Sequence, residues 1–174
     1  MTLEGVAVLP PSYKGFFMLM FNCELKFEED KLGLYTQELI PKGSVIWKYT
    51  NLSCHIFWKK QFLAHCDQLP MNGIKELITY SYIKNGLIYF PTDWSKYINH
   101  SIGPNTAMRD ENTAVATRNI QIGEKLTENY KLSYDQDDFH FWEELKDKLN
   151  RDQILKLIRK KLSVKGRPKS SLQI

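Results

Sequence analysis

The apolar residues of this chain come in short bursts, and their shortness is the strongest constraint on its fold. Gly15 to Asn22, Leu32 to Tyr35, Val45 to Tyr49 and Leu87 to Phe90 are runs of four to eight residues rich in aromatic and branched side chains, each bounded by Gly, Pro, Lys or Asn. Such runs suit the half-buried surface of a pleated strand, so the chain reads as many short strands. The most apolar of them, Gly15 to Phe21, falls far below the ~18 residues of a membrane span. A composition of 43% apolar and 25% charged residues excludes a disordered chain, collagen or a low-complexity scaffold. At 174 residues, one domain with a core that needs no staples is expected. Three cysteines, Cys23, Cys54 and Cys66, are an odd number without a short paired spacing. They predict a reduced interior, no structural metal and an intracellular reducing compartment. Met1 to Pro11 has no basic residue ahead of its apolar run, and Pro10-Pro11 closes that run, so no cleaved secretion signal is expected.

Turn and helix signals divide the rest. Between Thr106 and Thr117, the polar trio Asp110-Glu111-Asn112 separates two strand-like segments and predicts a hairpin. Ser53 is placed to cap a helix over the run CHIFWKKQFLAHC, and a second short helix is expected over Gly73 to Thr79. From Asp137 onward, Phe141, Leu145, Leu149, Ile154, Leu155, Ile158 and Leu162 make an apolar stripe on a charged background. Asn150-Arg151-Asp152 is expected to break it into two helices, with Asp152 capping the second.

Two motifs go further than periodicity. Tyr97-Ile98-Asn99-His100-Ser101-Ile102-Gly103-Pro104-Asn105 is followed eighteen residues later by Gly123-Glu124-Lys125-Leu126-Thr127-Glu128-Asn129-Tyr130. The pair, in this order and with a hairpin between, resembles the SET domain of protein lysine methyltransferases. That family carries N-H-S-x-x-P-N and then G-E-x-L-T-x-x-Y. A third family element, a G-x-G turn, is represented by Lys31-Leu32-Gly33-Leu34, with Lys31 replacing the first glycine. The resemblance implies a mainly β fold with some α: small curved sheets, a pseudoknot in which the second motif threads the first, a short helical insertion at Ser53 to Thr79, and C-terminal helices. It divides the chain into a SET domain over 13–134, a C-terminal helical segment over 135–163 and a basic flexible tail over 164–174. The family's zinc-binding, cysteine-rich C-terminal segment has no counterpart, since no cysteine follows Tyr130.

The resemblance also implies transfer of a methyl group from S-adenosylmethionine to a neutral lysine amine by in-line displacement. An aromatic channel favours the uncharged amine and fixes its approach. By motif position, Tyr130 carries the catalytic hydroxyl. Asn99 holds the methionine moiety and the main chain of His100 meets the adenine edge. Gly33 lets the backbone approach the cofactor, with Leu32 and Leu34 adding main-chain groups. Tyr82 is the preferred channel tyrosine, ahead of Tyr80, and Phe139 and Trp142 are the candidates to cover the cofactor or line the substrate channel. Taken singly, each has a plainer reading: Tyr130 as a core tyrosine with a satisfied hydroxyl, Asn99 and His100 as turn chemistry. Glu128 departs from the aromatic residue of many relatives. It either points outward along its strand or meets the incoming ammonium.

Charge is unevenly spread. Arg159, Lys160, Lys161, Lys165, Arg167 and Lys169 are six cations in the last sixteen residues with no acid among them, leaving 18 basic residues against 20 acids elsewhere. Lys165-Gly166-Arg167-Pro168-Lys169 resembles the core of an AT-hook, which lies in the minor groove of A·T-rich DNA. A docking tail for DNA and a solvated terminus are both consistent with this composition. The expected partner is a protein substrate with an exposed lysine, a histone tail or another basic protein, in the nucleus or on chromatin if it is a histone. No membrane contact is expected. The competing reading is a catalytically silent SET-fold module that binds a basic peptide or nucleic acid.

Overall fold

The computed structural model describes residues 19–28, 31–50, 52–110, 112–135 and 148–163. In chain order its strands are β1 (Cys23–Glu28), β2 (Lys31–Thr36), β3 (Val45–Lys48), β4 (Cys54–Phe57), β5 (Tyr82–Lys84), β6 (Leu87–Pro91), β7 (Asn99–His100), β8 (Thr106–Asp110), β9 (Thr113–Ala116) and β10 (Thr127–Glu128). The helices are α1 (Lys59–Gln68), α2 (Met71–Tyr80), the single turn α3 (Tyr130–Ser133) and α4 (Arg151–Ser163), and a 3-10 turn covers Trp94–Tyr97. The chain divides into two compact units: residues up to Cys54 with Pro91–Ser133, and His55–Phe90 with the residues from Tyr134 on. The insertion and the C-terminal helix thus share one unit, a grouping that a serial division of the sequence does not draw.

The first unit is assembled from three small sheets. β1 and β2 form an antiparallel hairpin running from Cys23 opposite Thr36 to Glu28 opposite Lys31. β3, β9 and β8 form a second sheet in that order, and its β8–β9 hairpin is the one that the Asp110-Glu111-Asn112 signal predicts. β7 and β10 pair in parallel over two residues only, Asn99 opposite Thr127 and His100 opposite Glu128. Leu34, Ile40, Ile46, Ile120 and Leu126 are fully buried between these sheets. Each such side chain contributes roughly 1.5–3 kcal/mol by leaving water. The expected strand over Gly15 to Asn22 is described only from Leu19, which makes a single antiparallel bridge to Trp47.

In the second unit, β4, β6 and β5 form a sheet in that order. Phe62 and Cys66 of α1, Ile74, Leu77 and Ile78 of α2, and Ile154, Leu155, Ile158 and Leu162 of α4 make one buried cluster with Ile83 and Ile88 of the sheet. The β5–β6 turn is Asn85-Gly86, with φ of 53° and 76° at its two central residues. Both lie in the left-handed region that this two-residue hairpin requires and that Asn and Gly adopt most easily. Arg151 donates to the main-chain oxygens of Asp67 (2.6 Å) and Leu69 (3.2 Å), satisfying carbonyls that the end of α1 leaves open.

Two helix starts differ from expectation. Cys54–Phe57 is strand, and α1 begins only at Lys59, where Gln61 Oε1 accepts from the Trp58 N–H at 3.0 Å. Ser53 instead closes a turn, its Oγ donating to the Thr50 carbonyl (2.9 Å) and accepting from the Thr50 N–H (3.1 Å). Two β-branched or aromatic residues, Ile56 and Phe57, favour the extended form next to β6. At α4 the cap is Asn150 and not Asp152. Asn150 Oδ1 accepts from Gln153 N (3.0 Å) while Gln153 Oε1 accepts from Asn150 N (2.9 Å), a reciprocal capping box. The first of the two expected C-terminal helices, from Asp137, lies outside the described residues.

Candidate functional site

In the first unit, the segment 123–128 carries most of the second motif and is held on both flanks. On one side Gly123 N donates to Thr36 O (2.7 Å), Thr36 N to Glu124 O (3.1 Å) and Leu126 N to Leu34 O (2.7 Å). On the other side Asn105, 1% exposed, uses its whole amide: Nδ2 donates to Lys125 O (2.7 Å), and Oδ1 accepts from Thr127 N (2.8 Å) and Thr127 Oγ1 (3.2 Å). Thr106 Oγ1 donates to Thr127 O at 2.9 Å. Each motif letter therefore has a physical task. Gly123 takes a φ of 78°, Leu126 fills the core, and Thr127 answers Asn105. Glu124 pairs with Arg118 and accepts from Gln121 N (2.9 Å); the Arg118 hydrogen bond foremost holds its carboxyl down at about 2.

This clamp brings Asn99, His100 and Tyr130 together. Asn99 Nδ2 donates to Leu32 O at 3.1 Å, tying β7 to β2. Its Oδ1 is buried and has no hydrogen-bond partner among the described residues. Tyr130, half-buried at the start of α3, donates its backbone N–H to His100 Nδ1 (3.2 Å) and its hydroxyl to the Ile98 carbonyl (2.6 Å). The His100 and Tyr130 rings lie 5.2 Å apart, inclined at 37°. Glu128 is 6% exposed, which removes the outward-pointing alternative for its side chain.

The glycine element departs from expectation in kind. Lys31 to Leu34 is not a turn but the first part of β2, with Gly33 opposite Lys26. A Cβ built on Gly33 would stand 2.5 Å from Lys125 Cε and 3.0 Å from Tyr35 Cε2, so what fills its missing side chain is the stem of Lys125. Lys31 is exposed at the strand's end, where a side chain costs nothing. Of the two flanking leucines, Leu32 supplies its carbonyl to Asn99, whereas Leu34 is core and its carbonyl is taken by Leu126.

Tyr82 belongs to the second unit. Its ring stacks on Tyr89 at 5.0 Å and on Tyr134 at 4.4 Å. Asp135 fastens that neighbourhood to the hairpin, donating its N–H to Ile83 O (2.7 Å) and accepting from Gly86 N (3.1 Å). Phe139 and Trp142 lie outside the described residues. Burial foremost pushes the Cys23 and Cys66 thiols up to about 12, which excludes both as nucleophiles near neutral pH.

A SET-domain family model matches residues 31–131, more than half of the chain, and the chain belongs to that family. Among solved structures it is similar to a Plasmodium falciparum protein described as a candidate histone methyltransferase, at 19% identity over 64% of this chain and 95% of that one, with a TM-score of 0.44. It is also similar to the methyltransferase domain of human histone-lysine N-methyltransferase SETMAR (20% identity, 64% of this chain, TM-score 0.47) and to a humanized mutant of the Chaetomium thermophilum Polycomb Repressive Complex 2 (18%, 66%, 0.48). The match spans 45% of the human chain and 15% of the Chaetomium chain. No curated protein matches the sequence.

The family implies S-adenosylmethionine, and the residues present suit it. The buried Asn99 oxygen has no donor among the described residues, and an ammonium such as that of the methionine moiety would supply one. The side-chain face of Gly33 is occupied by Lys125 rather than open, so any approach there concerns the Gly33 backbone alone.

Proposed function

We propose that the protein is an S-adenosylmethionine-dependent methyltransferase acting on lysine side chains of a protein substrate. The observation that carries this reading is the Asn99 amide, which is anchored at one end to Leu32 O while its other end is buried with no donor among the described residues. Most buried side-chain polar atoms are hydrogen-bonded, and Asn105 uses both ends of its amide; the open Asn99 oxygen is distinguished by lying in the N-H-S motif beside His100 and Tyr130.

When bound, the cofactor supplies an activated methyl group. Asn99 Oδ1 would accept a hydrogen bond from its ammonium and so hold the cofactor's polar end. The Tyr130 hydroxyl has its proton directed to Ile98 O, so the phenol oxygen offers lone-pair density rather than a proton. That polarity suits a centre where positive charge moves from sulfur to nitrogen, and it stabilises the transition state without acid or base chemistry. The His100 ring holds the Tyr130 main chain in place through Nδ1.

Titration calorimetry with S-adenosylmethionine and transfer of a radiolabelled methyl group to core histones or to total cell protein test the proposal together. Binding is expected for the parent protein, weakened about ten- to hundredfold in Asn99→Ala by loss of a hydrogen bond to a charged group. Tyr130→Phe is expected to bind the cofactor normally and to lose transfer by about a hundredfold or more. No heat with the parent protein, or no methyl transfer by it, overturns the reading in favour of a silent binding module, whereas full transfer by Tyr130→Phe assigns the catalytic role to another residue.

A further inference from the structure

The proposed reaction sets a requirement that Tyr130 does not meet. A lysine side chain arrives from water as an ammonium, and its nitrogen can bond to carbon only after losing a proton. The Tyr130 hydroxyl is committed as a donor to Ile98 O (2.6 Å), so that proton needs another acceptor. Among the described residues two carboxylates are buried, Asp93 and Glu128. Asp93 caps the 3-10 turn, its Oδ1 accepting from Ser95 N at 3.0 Å and from Ser95 Oγ. Glu128 stands two residues before Tyr130, and its place is fixed from both sides. Its carbonyl accepts from Ser101 N at 2.9 Å, and the preceding Thr127 is clamped by Asn105. Opposite residues of a parallel pair share a face, so Glu128 lies on the same face of β7 and β10 as His100, whose Nδ1 accepts from Tyr130 N. β7 and β8 are the strands packed on β10. The titratable and charged groups they bring are His100 from β7 and, at the exposed far end of β8, Arg109 and Asp110.

We propose that the Glu128 carboxylate receives the entering lysine ammonium and takes its proton. Burial disfavours both charges, so a carboxylate that meets an ammonium in the interior is drawn toward the neutral acid and the neutral amine. The freed lone pair forms the nitrogen–carbon bond to the methyl group while the electrons of the carbon–sulfur bond return to sulfur. The Glu128 carboxyl afterwards releases its proton to water. The inference rests on the methyl-transfer reading and adds the step that readies the amine.

The test is the pH profile of methyl transfer to core histones and to total cell protein, measured as initial rates at saturating S-adenosylmethionine from about pH 7.5 to about 9.5. The full-length parent, Glu128→Gln and Glu128→Asp are compared. An ammonium and its acceptor enter together as one protonation state, so the parent rate should be nearly flat across this range. Glu128→Gln must draw neutral amine from solution, where lysine ordinarily loses its proton near about pH 10.4. Its rate should therefore fall about tenfold or more below the parent at the acid end and climb about tenfold per pH unit. Glu128→Asp should keep the flat profile at a lower rate. His100 and Tyr130 are common to all three proteins, so a difference in slope belongs to residue 128. Calorimetry with S-adenosylmethionine should give parent-like affinity for both variants, which also shows that they fold. A parent rate that itself climbs about tenfold per unit, or parallel profiles for parent and Glu128→Gln, overturns the inference and leaves the methyl-transfer reading standing. A parent that neither binds the cofactor nor transfers overturns both.

Discussion

The two units are held together by different chemistry, and two asparagines display the contrast. Asn105 in the first unit is buried and bonds the irregular segment 124–127 through both ends of its amide. Asn150 in the second is exposed and only caps a helix whose packing is apolar. Where strands are two residues long, ladders cannot satisfy the backbone, and buried side-chain amides do it instead. Where helices satisfy their own backbone, an apolar stripe is enough and polar groups become accessory. The site of a SET domain therefore rests on the more polar and less forgiving of the two frameworks.

Removing each amide measures that difference. Asn105→Ala strands the Thr127 N–H and the Lys125 carbonyl in the interior. The expected loss is about 3 kcal/mol or more, seen as a collapse of the chemical-denaturation midpoint. Asn150→Ala should cost only about 1 kcal/mol, the usual worth of an N-cap. Equal losses in the two variants would break the contrast.

The smallest expected effect concerns acid. The Arg118 hydrogen bond keeps the Glu124 carboxyl near 2, below the ordinary 4.5, so the pair stabilises the fold fully above about pH 4.5 and progressively less as pH falls toward 2. With Arg118 half in water, the contribution is about 1 kcal/mol or less. Melting temperatures of parent and Arg118→Gln should therefore differ at pH 7 and converge near pH 2. A gap that persists unchanged at pH 2 would show that Arg118 acts through packing and not through charge.

Much of the first unit was legible because its motifs are contiguous. The N-H-S and G-E-x-L-T-x-x-Y elements named Asn99, His100 and Tyr130; the fold joins His100 to Tyr130 by a hydrogen bond and ties Asn99, beside His100 on β7, to Leu32. Asn105 stood in the same motif with no role assigned, although a Pro-Asn pair ahead of a strand is a signal for a side chain that bonds backbone. The role of Gly33 was not legible, because Lys125, which fills its side-chain space, is 92 residues away in sequence. In the second unit the periodicity of α2 and α4 was readable, whereas β4 hid within a run whose spacing also fits a helix. The β5–β6 hairpin had a plain signal in Asn85-Gly86 that the three-residue strand before it obscured.

The parallel pairing of β7 with β10 has a consequence in time. The β8–β9 hairpin lies between these strands in the chain and shortens the loop that their pairing must close, and the Asn99 bond to Leu32 closes across a separation of 67 residues. Such distant closures repay their loop entropy only after the local hairpins exist. During refolding, the Asn99 and Tyr130 neighbourhood is therefore among the last parts to assemble, and cofactor-binding competence should lag behind the recovery of secondary structure.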